Sequence, residues 1–149
     1  MASGCLAALL AFLLFGGVCG AQDDAQARAL QLLNRDREKH GLAPLVYSAA
    51  LTELADRYAA DLIARGFFSH DDPDGRSPFD RMRVAGIAYR HAGENLAIND
   101  SVDAAQAAFM NSPTHRANVL QPQFTEVGIG VRVAPNGKTY VVQKFIGTQ

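Results

Sequence analysis

Between Ser48 and Gly66 the apolar residues Leu51, Leu54, Ala55, Tyr58 and Leu62 recur at the spacing of one helix face. Ser48 is a good N-cap for that helix and Gly66 a natural stop. A second stripe, Ala25, Ala29, Leu32 and Leu33, predicts a helix over residues 25–40 that is capped by Asp23 or Asp24 and closed by Gly41. Ser77, Pro78 and Asp80 combine a capping hydroxyl, a first-turn proline and a first-turn acid, so a short helix is expected to run to Ala85 and stop at Gly86. A fourth helix is predicted from Val102 to Met110. Ser112 and Pro113 repeat the cap-and-proline signal for a helical turn carrying His115 and Val119.

From Glu126 the period changes to two. Val127, Ile129, Val131 and Val133 alternate with Gly128, Gly130 and Arg132, Pro135 to Lys138 supplies a turn, and a second alternating run extends from Thr139 to Ile146. That pattern predicts a terminal antiparallel hairpin. Glu94 to Ile98 reads as a third strand, and Leu45 to Tyr47 as an edge segment. Helices first and strands mostly last give an α+β fold in which an antiparallel sheet is covered by helices.

The apolar run from Leu6 to Phe15 stands apart, because the chain carries no charged side chain before Asp23. It is short for a bilayer span and ends in the small-residue series Gly16 to Ala21, so residues 1–21 are expected to be a secretory signal and residues 22–149 a single domain. The missing Lys or Arg before the run leaves cleavage or retention as an anchor open. Both cysteines, Cys5 and Cys19, fall in that segment, so the mature domain has no disulfide and must be stabilised by its core. With 14 Lys and Arg against 15 Asp and Glu the chain lacks the basic excess of a nucleic-acid binder, and it contains no glycine-rich phosphate loop.

Of the four histidines, His40 sits at a helix end where the dipole favours it, a structural setting. His91 lies just before Gly93 and carries no distinguishing signal. His70 and His115 lie in loops beside apolar anchors, where scaffolds place functional groups. The acidic stretch Asp71 to Gly75 fails the EF-hand template at both ends and reads as a solvated turn. Glu94 and Glu126 each sit at a strand start. A Ser112, His115, Glu126 triad can be written down, but no nucleophile elbow supports it.

Phe68-Ser69-His70, Gly93-Glu94-Asn95-Leu96, Ser112 to Leu120, Glu126 to Gly130 and Tyr140 to Gln143 stand in an order and at separations that resemble the CAP superfamily. That group takes its name from cysteine-rich secretory proteins, antigen 5 and pathogenesis-related proteins of class 1. The resemblance covers residues 28–146 and is nearest to the single-domain, disulfide-free bacterial branch. It implies an α-β-α sandwich with a central antiparallel sheet and a surface cleft holding two histidines and two glutamates. Zinc or another divalent cation is found in that cleft in several members. Carried over position by position, His70 and His115 match the cleft histidines and Glu94 the glutamate of the Gly-Glu-Asn motif, with Asn95 beside it. Ser112 stands where the second glutamate is expected, Phe109 where a Trp is usual, and Glu126 is the substitute candidate. Two functions follow as expectations. One is a secreted, non-catalytic binding module for a small apolar or cell-envelope ligand. The other is a zinc-dependent, peptidase-like hydrolase in which Glu94 is the general base. A sterol-binding version of the first lacks the aromatic-rich loop it would need between Ala97 and Ala104.

Overall fold

A computed structural model describes residues 18–148. Most of the expected signal segment, including Cys5, lies outside the described residues. The first helix, α1 (Val18–Lys39), begins earlier than the stripe from Ala25 predicts. Asp23 and Asp24 therefore sit within it instead of capping it, since no helix breaker other than the single Gly20 separates them from Val18. The strand β1 (Val46–Tyr47) leads into α2 (Ala49–Arg65), whose Gly66 ends the helix in the left-handed conformation. Ser77 and Asp80 close a reciprocal capping box on α3 (Pro78–Val84). Then follow β2 (His91–Asn99), α4 (Val102–Asn111), α5 (Pro113–Val119), β3 (Glu126–Val133) and β4 (Thr139–Gly147). The predicted third strand is longer at both ends, since His91 to Gly93 and Asn99 also pair with β4.

The four strands lie in the order β1-β3-β4-β2. The hairpin β3–β4 pairs Glu126 with Ile146 and Val133 with Thr139, and β2 adds antiparallel to β4 from His91↔Gly147 to Asn99↔Thr139. In the hairpin loop Gly137 takes a φ of 79°, and the Ala134 and Lys138 backbones close it. The expected all-antiparallel sheet needs one correction: β1 runs parallel to β3. Nothing forces a hairpin there, because α2, α3, β2, α4 and α5 all intervene and let the chain return in either direction.

Side-chain alternation sorts the sheet into two faces. Leu96 and Val142 pack with Ala55, Tyr58, Ala59 and Leu62 of α2. Ala97, Val127, Ile129, Val131, Val141 and Phe145 pack on the other face with residues of α1, α4 and α5. The result is a helix layer on each side of the sheet, the expected sandwich. Two consecutive residues of β2 therefore address opposite layers, and its outer edge is where those layers' loops can meet. No helix among the described residues is long and apolar enough to cross a membrane.

Candidate functional site

The Gly-Glu-Asn segment sits in β2 and uses all three residue types. A Cβ at Gly93 would lie 3.0 Å from the Phe124 ring and 3.1 Å from Asn118 Oδ1, so glycine there lets both side chains pack closely against the strand. Glu94 points to the α2 layer and Asn95 to the α4–α5 layer. Each holds one of the two histidines.

Glu94 has a side chain only 1% exposed. Its Oε1 accepts the Nδ1–H of His70 at 2.9 Å, while Oε2 accepts from Lys144 Nζ and, at 3.3 Å, from Arg81 Nη2. Burial pushes the carboxyl up, but the His70 hydrogen bond, the Lys144 charge and hydrogen bond, and the Arg81 charge outweigh it, so Glu94 titrates below the ordinary carboxylate range. Lys144 is fully buried on β4 in register with Glu94, and burial holds its ammonium below the ordinary lysine value despite the carboxylate. A carboxylate with both oxygens engaged in this way is suited to orienting His70 more than to accepting a proton from water.

The loop carrying His70 is fixed from below. Tyr58 donates its hydroxyl to the carbonyls of Ser69, at 2.7 Å, and His70, at 3.0 Å. Arg81 Nη2 also donates to the His70 carbonyl, at 2.8 Å, and the guanidinium lies 3.6 Å from the Tyr58 ring centroid. Burial pushes the Tyr58 phenol up to about 12, so it remains a donor at any physiological pH. Tyr58→Phe is expected to lower folding stability by about 1 kcal/mol. It should also speed amide hydrogen exchange over residues 69–72, and unchanged exchange there would contradict this anchoring role.

On the opposite face His115 belongs to the first turn of α5. Its Nδ1 meets Ser112 Oγ at 2.8 Å, and its ring lies 5.3 Å from that of Phe109, centroid to centroid. Burial, with a smaller contribution from the His70 charge nearby, holds its imidazole below the ordinary histidine value and so favours the neutral ring at pH 7. The His115 backbone is positioned by a chain of buried amides. Asn118 donates to Asn95 Oδ1 at 2.9 Å, and Asn95 Nδ2 donates to the His115 carbonyl and to Gln143 Oε1, both at 3.1 Å. Gln143 then donates to Gln106 at 2.9 Å and Gln106 to Asp36 Oδ2 at 3.0 Å. Because a carboxylate only accepts, Asp36 sets the direction of every amide along the chain.

His70 and His115 thus each commit Nδ1 to a protein oxygen, which leaves Nε2 without a partner among the described residues. Beside His115 runs an open groove of about 310 Å3, lined by Phe68, Leu96, Ile98, Phe109 and Ser112. A larger groove of about 460 Å3 lies between α2 and α3, but the arginines lining it are engaged in ion pairs that include Asp61, Asp72 and Asp74.

Other candidates fall elsewhere. Glu126 opens β3, separated from β2 by β4, so neither the substitute-glutamate expectation nor the Ser112, His115, Glu126 triad is assembled. His40 donates Nδ1–H to the Asp36 carbonyl at 2.7 Å and accepts from Arg116 at 2.9 Å, the structural role expected. His91 is half-buried at the start of β2, opposite Gly147. In the acidic turn Asp72 is not solvated: it is buried, accepts from the Asp74 and Arg76 backbones, and pairs with the Arg76 side chain. Among the described residues there is no group of three or more His, Cys, Asp or Glu that could hold a metal ion.

The family model described as "CAP: Cysteine-rich secretory protein family" matches residues 30–145. The chain belongs to the CAP family. It is 37% identical over 123 residues to the uncharacterized protein YkwD of Bacillus subtilis (strain 168), a match that takes in 82% of this chain and 47% of YkwD. The chain thus spans about half the length of that relative. An extracellular protein containing a SCP domain from Bacillus anthracis str. Ames superposes with a TM-score of 0.79 at 29% identity, over 85% of this chain and 41% of that one. NaASP2, crystallised with Zn2+, shares the fold at a TM-score of 0.60 and 13% identity, over 85% of this chain and 84% of its own.

The residues around the candidate site that sequence reasoning did not single out are Arg81, Lys144 and Tyr58, with Gln143 and Gln106 on the other face. Lys144 carried a signal: it stands between Val142 and Ile146 on a strand face that is otherwise apolar.

Proposed function

We propose that this CAP domain is an exported, non-catalytic binding module. In it the Nε2 atoms of His70 and His115 hold a divalent cation, and the adjoining apolar groove takes a ligand. The observation that carries this reading is the matched pair of Nδ1 contacts, to Glu94 Oε1 at 2.9 Å and Ser112 Oγ at 2.8 Å, which orient both rings and leave the metal-binding nitrogens unclaimed. Zinc bound by NaASP2 supports the choice of ion, and the apolar segment of residues 1–21 and the extracellular B. anthracis relative support export. If bound by His70 and His115, such an ion would supply a Lewis acid there. This chain's own residues do the positioning: Glu94 holds one ring, Ser112 the other, and Lys144 and Arg81 keep Glu94 charged.

Calorimetry with zinc tests this. One ion per chain is expected at pH 7.5, weaker binding at pH 5.5 where imidazoles protonate, and none in the double variant His70→Ala, His115→Ala. Glu94→Gln should weaken binding by about 10–100-fold, the usual effect of losing a group that orients a metal-bound histidine. Absence of binding, or binding unchanged in the double variant, would remove the cation from the account.

A further inference from the structure

The hydrogen-bonding direction of β2 can be read from the hairpin. The Ala134 N–H donates to the Lys138 carbonyl at 2.8 Å, which makes that facing pair a hydrogen-bonded one. In an antiparallel ladder such pairs alternate, so the even-numbered residues of β4 turn their main-chain groups to β3 and the odd-numbered ones to β2. Asn95 and Ala97, opposite Gln143 and Val141, then bond to β4, while Glu94, Leu96 and Ile98 turn their N–H and C=O groups to the sheet's open edge. An independent contact agrees: the Glu94 carbonyl accepts from Asn118 Nδ2 at 3.3 Å, outside the ladder. No described residue bonds to the outward main-chain groups of Leu96 or Ile98. The edge thus presents unpaired main-chain donors and acceptors to an open groove, the template a further strand can pair with.

That edge forms the floor of the groove beside His115. Phe68, 50% exposed, stands on the α2 side, and Phe109 and His115 stand on the α4–α5 side. The floor offers two donor–acceptor sets two residues apart, about 6.8 Å in an antiparallel strand, between apolar walls on both faces. A fatty or sterol-like molecule satisfies the walls and not the floor. We propose that the groove binds an extended peptide, which adds as a fifth strand along Leu96–Ile98 and places its alternate side chains against Phe68 and against Phe109 and His115. The proposal rests on the groove of the reading above and names its ligand class; it does not depend on the cation.

The probe is a blocked hexapeptide alternating valine with threonine, together with two analogues N-methylated on one or the other set of alternate amides. Binding to the full chain is followed by amide chemical shifts and hydrogen exchange, in EDTA and with zinc. The expected result is a saturable shift confined to Phe68 and residues 96–99, with exchange at Leu96 and Ile98 slowed at least tenfold. One N-methylated analogue should bind about tenfold more weakly than the parent, as loss of an edge hydrogen bond requires. Ile98→Pro deletes one outward donor at a position where an edge strand tolerates proline, and should weaken the parent peptide to a similar degree. No shift at millimolar peptide, or equal binding of all three peptides, overturns the proposal. Peptide binding in EDTA by a protein that takes no zinc would leave it standing and remove the cation. Zinc binding with no peptide response would do the reverse.

Discussion

Glu94→Ala should lower folding stability by about 3–5 kcal/mol, the range for breaking a buried ion pair from one side. The size follows from what stays behind. Lys144, fully buried, loses its carboxylate and keeps only the Tyr58 ring, 5.2 Å from Nζ, while Arg81 already has a buried Nε without a hydrogen-bond partner. Chemical denaturation measures the loss. Replacing both partners, with Glu94→Leu and Lys144→Met, should cost less than the sum of the two single changes, because the buried lysine charge is then removed along with its carboxylate and only Arg81, which keeps the Arg76 and His70 carbonyls, still faces Glu94's place. Strict additivity would mean that the pair is not coupled. The pH dependence has a definite sign. A carboxyl held below its ordinary value of 4.5 contributes stability that is present above that value and is lost as the pH falls through the folded-state value. The unmodified protein should therefore show an acid-unfolding component below about pH 4.5 that Glu94→Gln lacks.

Gly128→Ala should be comparably severe, for a reason that lies entirely in packing. A Cβ there would sit 2.1 Å from the Leu51 carbonyl carbon and 2.2 Å from the Thr52 nitrogen, and one at Gly130 would sit 2.4 Å from the Ala55 carbonyl. These atoms are the backbone of α2, which cannot move aside by changing a rotamer. The helix must lift off the sheet, taking with it the contacts that Ala55, Tyr58, Ala59 and Leu62 make with Leu96 and Val142. Overpacking usually costs about 1–3 kcal/mol, and contact with rigid backbone places this case at about 3 kcal/mol or above. Because Tyr58 rides on α2, the His70 loop should loosen as well. A thermal midpoint within a few degrees of the unmodified protein would show that the helix does not lie on those glycines.

The periodic parts of this fold were open to reading from the chain. The α2 stripe, the capping box at Ser77 and the β3–β4 hairpin each encode their geometry in adjacent residues. The parallel sense of β1 was not, since two residues carry no record of direction and a long excursion separates them from β3. The early start of α1 escaped because an apolar stripe marks where a helix packs, not where it begins. In the candidate site His70 and His115 stood out by their loop positions beside apolar anchors, whereas Glu94 and Asn95 were singled out chiefly by the family pattern. Glu126 misled because nearness to His115 in sequence does not survive the strand order, which inserts β4 between β3 and β2. Lys144 lies 50 residues from Glu94 along the chain, and only the register of β2 against β4 brings it opposite; Arg81, 13 residues away on the preceding helix, carried no pattern that pointed it at Glu94.

Whether the two histidines share one cation is read most directly from the imidazole nitrogens themselves. Long-range proton–nitrogen spectra of the histidine-labelled chain, recorded as zinc is added at pH 7.5, report each ring nitrogen separately. His70 and His115 should both keep Nδ1 protonated before and after zinc, toward Glu94 and Ser112, and their Nε2 signals should shift together to saturation at one ion per chain while those of His40 and His91 stay fixed. Zinc arriving at an Nδ1, at only one of the two rings, or at neither would contradict a cation shared through the two Nε2 atoms.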